Sequence, residues 1–170
     1  GRMRHFALFG NPVGHSLSPL MINAAFGAMG LRAGYESHRV ENLELAVRMI
    51  REKPLDGVSV TLPLKGAVMA FLDEVDDDAR AIGAVNTVTN ERGRLRGSNT
   101  DWVGLSAAIE EHVPLRGRTF AVLGAGGASR AAVHGGVPNC PGHRIGPSAA
   151  RPVRCLSWRW AAAMRDAASG

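Results

Sequence analysis

Short apolar runs alternate with stretches of helical period along the first 134 residues. That alternation restricts the chain to an α/β architecture with a substantially parallel sheet. His5–Gly10 reads as a buried strand, Tyr35–Val40 as a second and Gly57–Leu62 as a third that Pro63 ends, since proline cannot donate to a ladder. Between them, residues 19–30 place Leu20, Ile22, Ala24, Ala25, Phe26 and Met29 at helical spacing. Ser18 suits the N-cap of that helix, Pro19 its first turn and Gly30 its end. Leu43–Glu52 sets Leu43, Ala46, Val47 and Ile50 on one helical face. Residues 66–72 and 74–81 read as two further helical segments, the second acidic. Residues 84–89 and 95–97 flank a turn near Asn90–Gly93 and read as a hairpin. Residues 100–112 predict a long helix, Thr119–Leu123 a strand, and a glycine turn then leads into a helix near Ala128.

Charge separates this body from the tail. Residues 1–134 hold 15 Lys and Arg against 14 Asp and Glu, and residues 135–170 hold five Arg against one Asp. The net charge of +5 is therefore a property of the tail, and the body lacks the basic stripe of a nucleic-acid binder. No apolar run has the length to span a bilayer, and the opening residues lack the apolar stretch of a signal peptide. Cys140 and Cys155 have no metal or redox spacing, and the histidines no ligand spacing, so no metal is expected. A cytoplasmic chain acting on a small molecule is the resulting expectation, without a nucleic-acid or membrane partner.

Four polar clusters stand at predicted strand or helix ends: Ser16-Leu17-Ser18-Pro19, Val60-Thr61-Leu62-Pro63-Leu64-Lys65, Asn86-Thr87 and Asn99-Thr100-Asp101. They supply hydroxyls, amides, one lysine and one carboxylate, a set that suits a small polyhydroxylated acid. Gly124-Ala125-Gly126-Gly127-Ala128-Ser129 follows a strand and precedes a helix, which is the setting of a pyrophosphate-binding turn. Its third place is Ser129, where Gly or Ala is usual.

In this order and spacing the clusters carry a family likeness. From about His5 to His134 the chain resembles shikimate dehydrogenase, through Gly10-Asn11-Pro12, Ser16–Pro19, Val58–Lys65, Gly83–Thr87, Gly97–Asp101 and Gly124–Arg130. The resemblance implies an α/β substrate domain over residues 3–100, with a mixed, largely parallel sheet flanked by helices. Residues 101–134 would be a linking helix and the first strand–turn–helix of a Rossmann domain, a truncated fragment of it. The implied reaction is reduction of 3-dehydroshikimate to shikimate with NADPH, on the route to chorismate and the aromatic amino acids.

The same resemblance implies residue roles. Lys65 and Asp101 would be the catalytic pair, moving the proton of the reacting oxygen. Ser16 and Ser18 would bind the substrate carboxylate beside a helix N-terminus. Thr61, Lys65, Asn86 and Asp101 would bind the ring hydroxyls. Gly124, Ala125, Gly126, Gly127, Ala128 and Arg130 would hold the cofactor phosphates. Plainer readings stand beside these: a solvated lysine after a proline turn, Asp101 as cap of the following helix, Ser18 as an N-cap, Asn86 as a backbone-bridging amide, and His15 as a turn residue.

The tail departs from the pattern. Residues 135–152 are crowded with Gly, Pro, Arg and Ser, and no Asp or Glu lies between Glu111 and Asp166. The acid expected to bind the ribose about 20 residues after the glycine turn is thus missing. The family's Asn-Arg-Thr clamp for the 2′-phosphate is missing too, and Arg144 stands in no such context. Out-of-frame translation of a GC-rich gene would account for such a tail. The expectation is a chain with little or no turnover. The alternatives are a non-catalytic shikimate-binding remnant and a quinate/shikimate dehydrogenase that uses NAD. Apolar surface left uncovered on the Rossmann fragment would favour self-association.

Overall fold

The computed structural model describes residues 1–53, 55–116, 122, 124 and 126–136. The chain divides into two compact units, one over Gly1–Asn99 and one from Thr100 onward.

In the first unit the order is β1 (Arg4–Gly10), α1 (Ser18–Ala28), β2 (Ala33–Arg39), α2 (Leu43–Glu52) and β3 (Leu55–Val60). A 3-10 turn (Ala67–Phe71), β4 (Glu74–Val75), α3 (Asp77–Ile82), β5 (Thr87–Glu91) and β6 (Arg94–Ser98) follow. Among the described residues the six strands form one sheet in the order β2-β1-β3-β5-β6-β4. β1 runs parallel to β2 and β3, and β4 parallel to β6, while β5 is antiparallel to both neighbours. The mixed, mostly parallel sheet expected from the sequence is thus present.

Side chains alternate across the sheet, as the two-residue period of a strand requires. Ala7 and Phe9 of β1 share a core with Val58 and Val60 of β3, Ala46, Val47 and Ile50 of α2, and Val88 and Leu95 of the hairpin. On the opposite face Leu8, Val13 and Tyr35 pack with Phe6 and with Ile22 and Phe26 of α1. Burying a side chain the size of Phe9 or Ile50 stabilises by about 1.5–3 kcal/mol. The outer face of α1 stays exposed and apolar, with Leu20 and Met21 both open to solvent.

Local signals explain most of the element ends. The Asn42 side chain accepts from Leu45 N–H at 3.0 Å and starts α2. Gly30, with φ +64°, ends α1, and Leu31 N–H reaches back to the Phe26 carbonyl. Arg92 and Gly93 both have positive φ and make the two-residue hairpin turn of β5 and β6. Asn90 braces that turn: its amide donates to the Ile50 and Leu55 carbonyls and its oxygen accepts from Gly93 N–H.

Three expectations are corrected. The third strand covers residues 55–60, so Thr61 and Leu62 lie outside it. The acidic helix begins only at Asp77, because Asp76 is its cap, accepting from Ala79 N–H at 2.7 Å. Glu74 and Val75 instead pair with Arg96 and Gly97 as β4. Ser18 is not the cap of α1 but its first helical residue; Leu17 holds the cap position, and the Ser16 hydroxyl accepts from Ser18 N–H.

In the second unit α4 covers Asp101–Glu110 and α5 covers Gly127–Gly136. Gly135 lets the two helices approach closely: a Cβ there would sit 2.4 Å from Ser106 Oγ and 2.9 Å from the Trp102 carbonyl. The Trp102 and His134 rings meet edge to face at 5.2 Å. Of the strand expected over Thr119–Leu123 only Val122 is described, and the tail from 137 falls outside the described residues.

Candidate functional site

The polar clusters of the first unit gather where β1 and β3 end. Open α/β sheets bind ligands at the carboxyl ends of their parallel strands. Thr61 is the first residue past β3, and its N–H donates to the Phe9 carbonyl at 2.9 Å. The next turn is closed by Leu64 N–H on the Thr61 carbonyl at 2.9 Å, which sets half-buried Lys65 at its end. The Lys65 carbonyl accepts from Val85 N–H at 2.8 Å, and the Asn86 carbonyl accepts from Val60 N–H at 2.7 Å. Thr61, Lys65 and Asn86 are therefore tied together through main-chain hydrogen bonds, although 25 positions separate the first from the last. Asn86 N–H is held by the Ser98 carbonyl, and its side-chain oxygen accepts from the Thr87 hydroxyl at 2.9 Å.

The loop after β1 lies against the same segment, with Asn11 N–H on the Leu62 carbonyl at 2.9 Å. It leads to Ser16, whose N–H closes a turn on the Val13 carbonyl. Ser16 Oγ lies 3.2 Å from Ser18 Oγ, so the two hydroxyls are neighbours at the start of α1. That helix end supplies the positive end of the helix dipole, which suits a carboxylate, although Ser18 N–H is held by Ser16 Oγ and Pro19 has none. His15 is exposed in the turn before them.

Two residues absent from the expected site support it. Asn99 is buried, and its amide donates to the Ala84 carbonyl at 2.8 Å. Gly10 abuts Thr61, so that a Cβ there would lie 2.3 Å from Thr61 Cγ2. Asn99 had a signal in the sequence, since it adjoins Thr100-Asp101; Gly10 had none beyond its place in Gly10-Asn11-Pro12.

Asp101 belongs to the second unit, in the first turn of α4, where a carboxylate complements the helix dipole. Thr100, not Asp101, occupies the cap position. Gly124, Gly126, Gly127, Ala128 and Arg130 also belong to this unit, and Ala125 lies outside the described residues. Gly124 has φ +111°, and a Cβ there would sit 3.0 Å from Ser129 Oγ. Glycine is therefore required by backbone conformation at the turn. Gly127 begins α5, and Arg130, exposed, donates its N–H to the Gly126 carbonyl at 3.0 Å. A glycine turn running into a helix N-terminus fits the pyrophosphate of a dinucleotide.

Among the described residues no group of three or more His, Cys, Asp and Glu could hold a metal, and no helix is long and apolar enough to cross a membrane.

Residues 8–88 match the family model of the shikimate dehydrogenase substrate binding domain. A curated shikimate dehydrogenase (NADP(+)) of Bacillus cereus strain G9842 is 48% identical over 130 residues, 74% of this chain and 47% of that protein. The shikimate 5-dehydrogenase of Thermus thermophilus, solved with NADP(H) and shikimate, superposes with a TM-score of 0.73 at 46% identity. That match covers 78% of this chain and 51% of that one. The ligand-free 5-ketofructose reductase of Gluconobacter sp. strain CHM43 gives a TM-score of 0.75 at 33% identity, covering 82% of this chain and 50% of that one. The chain spans about half the length of the curated relatives it matches. Through these matches and the substrate binding domain it carries, the chain belongs to the shikimate dehydrogenase family.

Proposed function

We propose that this chain supplies the substrate site, and the start of the cofactor site, of an NADP-dependent shikimate dehydrogenase. The observation that carries the reading is the main-chain tethering of Thr61, Lys65 and Asn86 at the carboxyl ends of parallel strands, next to the Ser16–Ser18 hydroxyl pair. Ser16 and Ser18 take the substrate carboxylate. Thr61, Asn86 and Asp101 bind ring hydroxyls, Asn86 with both a donor and an acceptor. Gly124–Ala128 and Arg130 would hold the cofactor, which when bound would supply a hydride to the 3-dehydroshikimate carbonyl carbon. The carbonyl oxygen then takes one proton. Lys65 donates it, and Asp101 is the second member of the proposed catalytic pair. In the reverse direction Lys65 receives the proton that leaves the shikimate hydroxyl. A cytoplasmic setting goes with this reading.

Two further parts of the reading rest on sequence. Without the Asn-Arg-Thr clamp for the 2′-phosphate after the glycine turn, the nicotinamide is poorly positioned and turnover by this chain alone is expected to be slight. The Rossmann fragment is expected to self-associate, and a monodisperse monomer in sedimentation counts against that. The test of function is shikimate binding, followed by calorimetry, together with NADP⁺-dependent oxidation of shikimate. Saturable shikimate binding that Lys65→Ala weakens supports the reading. Equal or tighter binding of quinate or 5-ketofructose reassigns the substrate.

A further inference from the structure

Gly10 is the last residue of β1, where it pairs with Arg39. Its φ is not positive, so the backbone does not demand glycine there. Space does. A Cβ at this position would fall 2.3 Å from Thr61 Cγ2, 2.7 Å from Val13 Cγ1 and 3.1 Å from the Leu62 carbonyl oxygen. The strand has little freedom to retreat. Val40 N–H holds the Gly10 carbonyl, Thr61 N–H holds the Phe9 carbonyl, and Asn11 N–H holds the Leu62 carbonyl, each at 2.9 Å. The main chains of both segments are thus locked together on either side of the missing Cβ.

The Thr61 methyl occupies the notch that this leaves. A β-branched side chain is stiff about its first torsion, so seating the methyl also fixes the direction of the hydroxyl on the same carbon. We propose that Gly10 is a positioning residue for substrate recognition, acting through the Thr61 methyl to hold the Thr61 hydroxyl in the orientation that receives a ring hydroxyl. The inference rests on the reading of Thr61 as a substrate ligand. It adds that recognition depends on a residue that itself offers the substrate no functional group.

The test uses the full chain, shikimate as the probe, and two readouts. The first is shikimate affinity by calorimetry. The second is the Thr61 side-chain rotamer, from three-bond NMR couplings to Cγ2, which needs no ligand. Gly10→Ala, with circular dichroism like that of the wild type, is expected to change the rotamer and lower affinity about tenfold, the scale of one misdirected hydrogen bond. Adding Thr61→Ser removes the clashing methyl while keeping the hydroxyl, and is expected to restore part of the lost affinity. Thr61→Val keeps the methyl and loses the hydroxyl, and is expected to bind as poorly as Gly10→Ala without that rescue.

A folded Gly10→Ala chain with an unchanged Thr61 rotamer and unchanged affinity overturns the proposal. So does a double variant that binds no better than Gly10→Ala alone. If Gly10→Ala does not fold, Thr61→Ser in the native background decides. Rotamer averaging at position 61 with weakened binding supports the proposal, and a single rotamer with undiminished affinity overturns it. If the wild type shows no shikimate binding, the substrate reading fails separately, and the Thr61 rotamer in Gly10→Ala still decides whether Gly10 positions the side chain.

Discussion

The Asn99 side-chain amide donates to the Ala84 carbonyl across 2.8 Å, at a place where both residues are buried. This bond pins the loop that leads through Val85 to Asn86. Asn99→Ala would leave the Ala84 carbonyl without that donor, and an unsatisfied buried carbonyl costs about 1–3 kcal/mol. A lowered melting temperature is expected, with weaker shikimate binding because Asn86 lies two residues beyond the pinned carbonyl. Asn99→Asp, which loses the donor, should be no better than Asn99→Ala. Wild-type melting and binding in both variants would refute the bracing role.

Arg51 grips Asp73 with both terminal nitrogens, at 2.7 and 3.2 Å, and also reaches the Phe71 and Gly93 carbonyls. Asp73 in turn accepts from Leu95 N–H at 2.7 Å. The hydrogen bond from Arg51, and then that from Leu95, hold the Asp73 carboxyl below its ordinary value of 3.8. A depressed carboxylate lends stability above the unfolded value and loses it as pH falls through the folded one. The stability gap between wild type and Asp73→Asn should therefore be widest near neutral pH and shrink below about pH 4. Urea titrations at several pH values measure it; a gap independent of pH would contradict the pairing.

Tyr35 carries a different polar problem. Among the described residues its buried hydroxyl has no hydrogen-bond partner, and burial pushes its pKa above the ordinary 10.0. The Ser59 side chain offsets part of that shift without completing a hydrogen bond. Tyr35→Phe removes the unsatisfied group and keeps the ring in its cluster, so stability is expected to be unchanged or to rise by about 1 kcal/mol. Above pH 10 the unfolded wild type loses the Tyr35 proton before the folded chain does, so wild-type stability falls there. The variant lacks that term, and the difference between the two should grow with pH. Thermal melts at neutral and alkaline pH provide the comparison.

Gly124 holds φ +111° with Ser129 Oγ close to its missing Cβ. An alanine in such a conformation costs about 1–3 kcal/mol of local strain. Gly124→Ala should weaken NADP⁺ binding while leaving shikimate binding intact, since shikimate contacts are assigned chiefly to the first unit. Ligand-detected NMR with each compound separates the two. Loss of both would point to a global defect.

The fold was legible where local chemistry and packing agree. Residues 43–52 declared α2 through the helical spacing of Leu43, Ala46, Val47 and Ile50, the last three of which are buried; the Asn42 cap emerges only in the structure. Glu74 and Val75 looked helical because they precede an acidic run; only pairing with Arg96 and Gly97 makes them a strand, and a two-residue strand has no period to detect. The residues proposed for the site stand out as motifs, because Thr61, Lys65 and Asn86 each stand at an element end. Gly10 does not, since its role comes from contact with Thr61, far along the chain. Nor does Ser16's role at the start of α1, because a serine two residues later fits the same cap rule.

The central claim is that the first unit binds shikimate through the tethered cluster. An amide-resolved NMR titration of the folded chain with shikimate tests it most directly. Saturable shifts are expected at Ser16, Ser18, Thr61, Lys65 and Asn86, weakened by Lys65→Ala and not reproduced by 5-ketofructose at equal concentration. Shifts that do not saturate, or that fall elsewhere on a folded chain, would contradict the account.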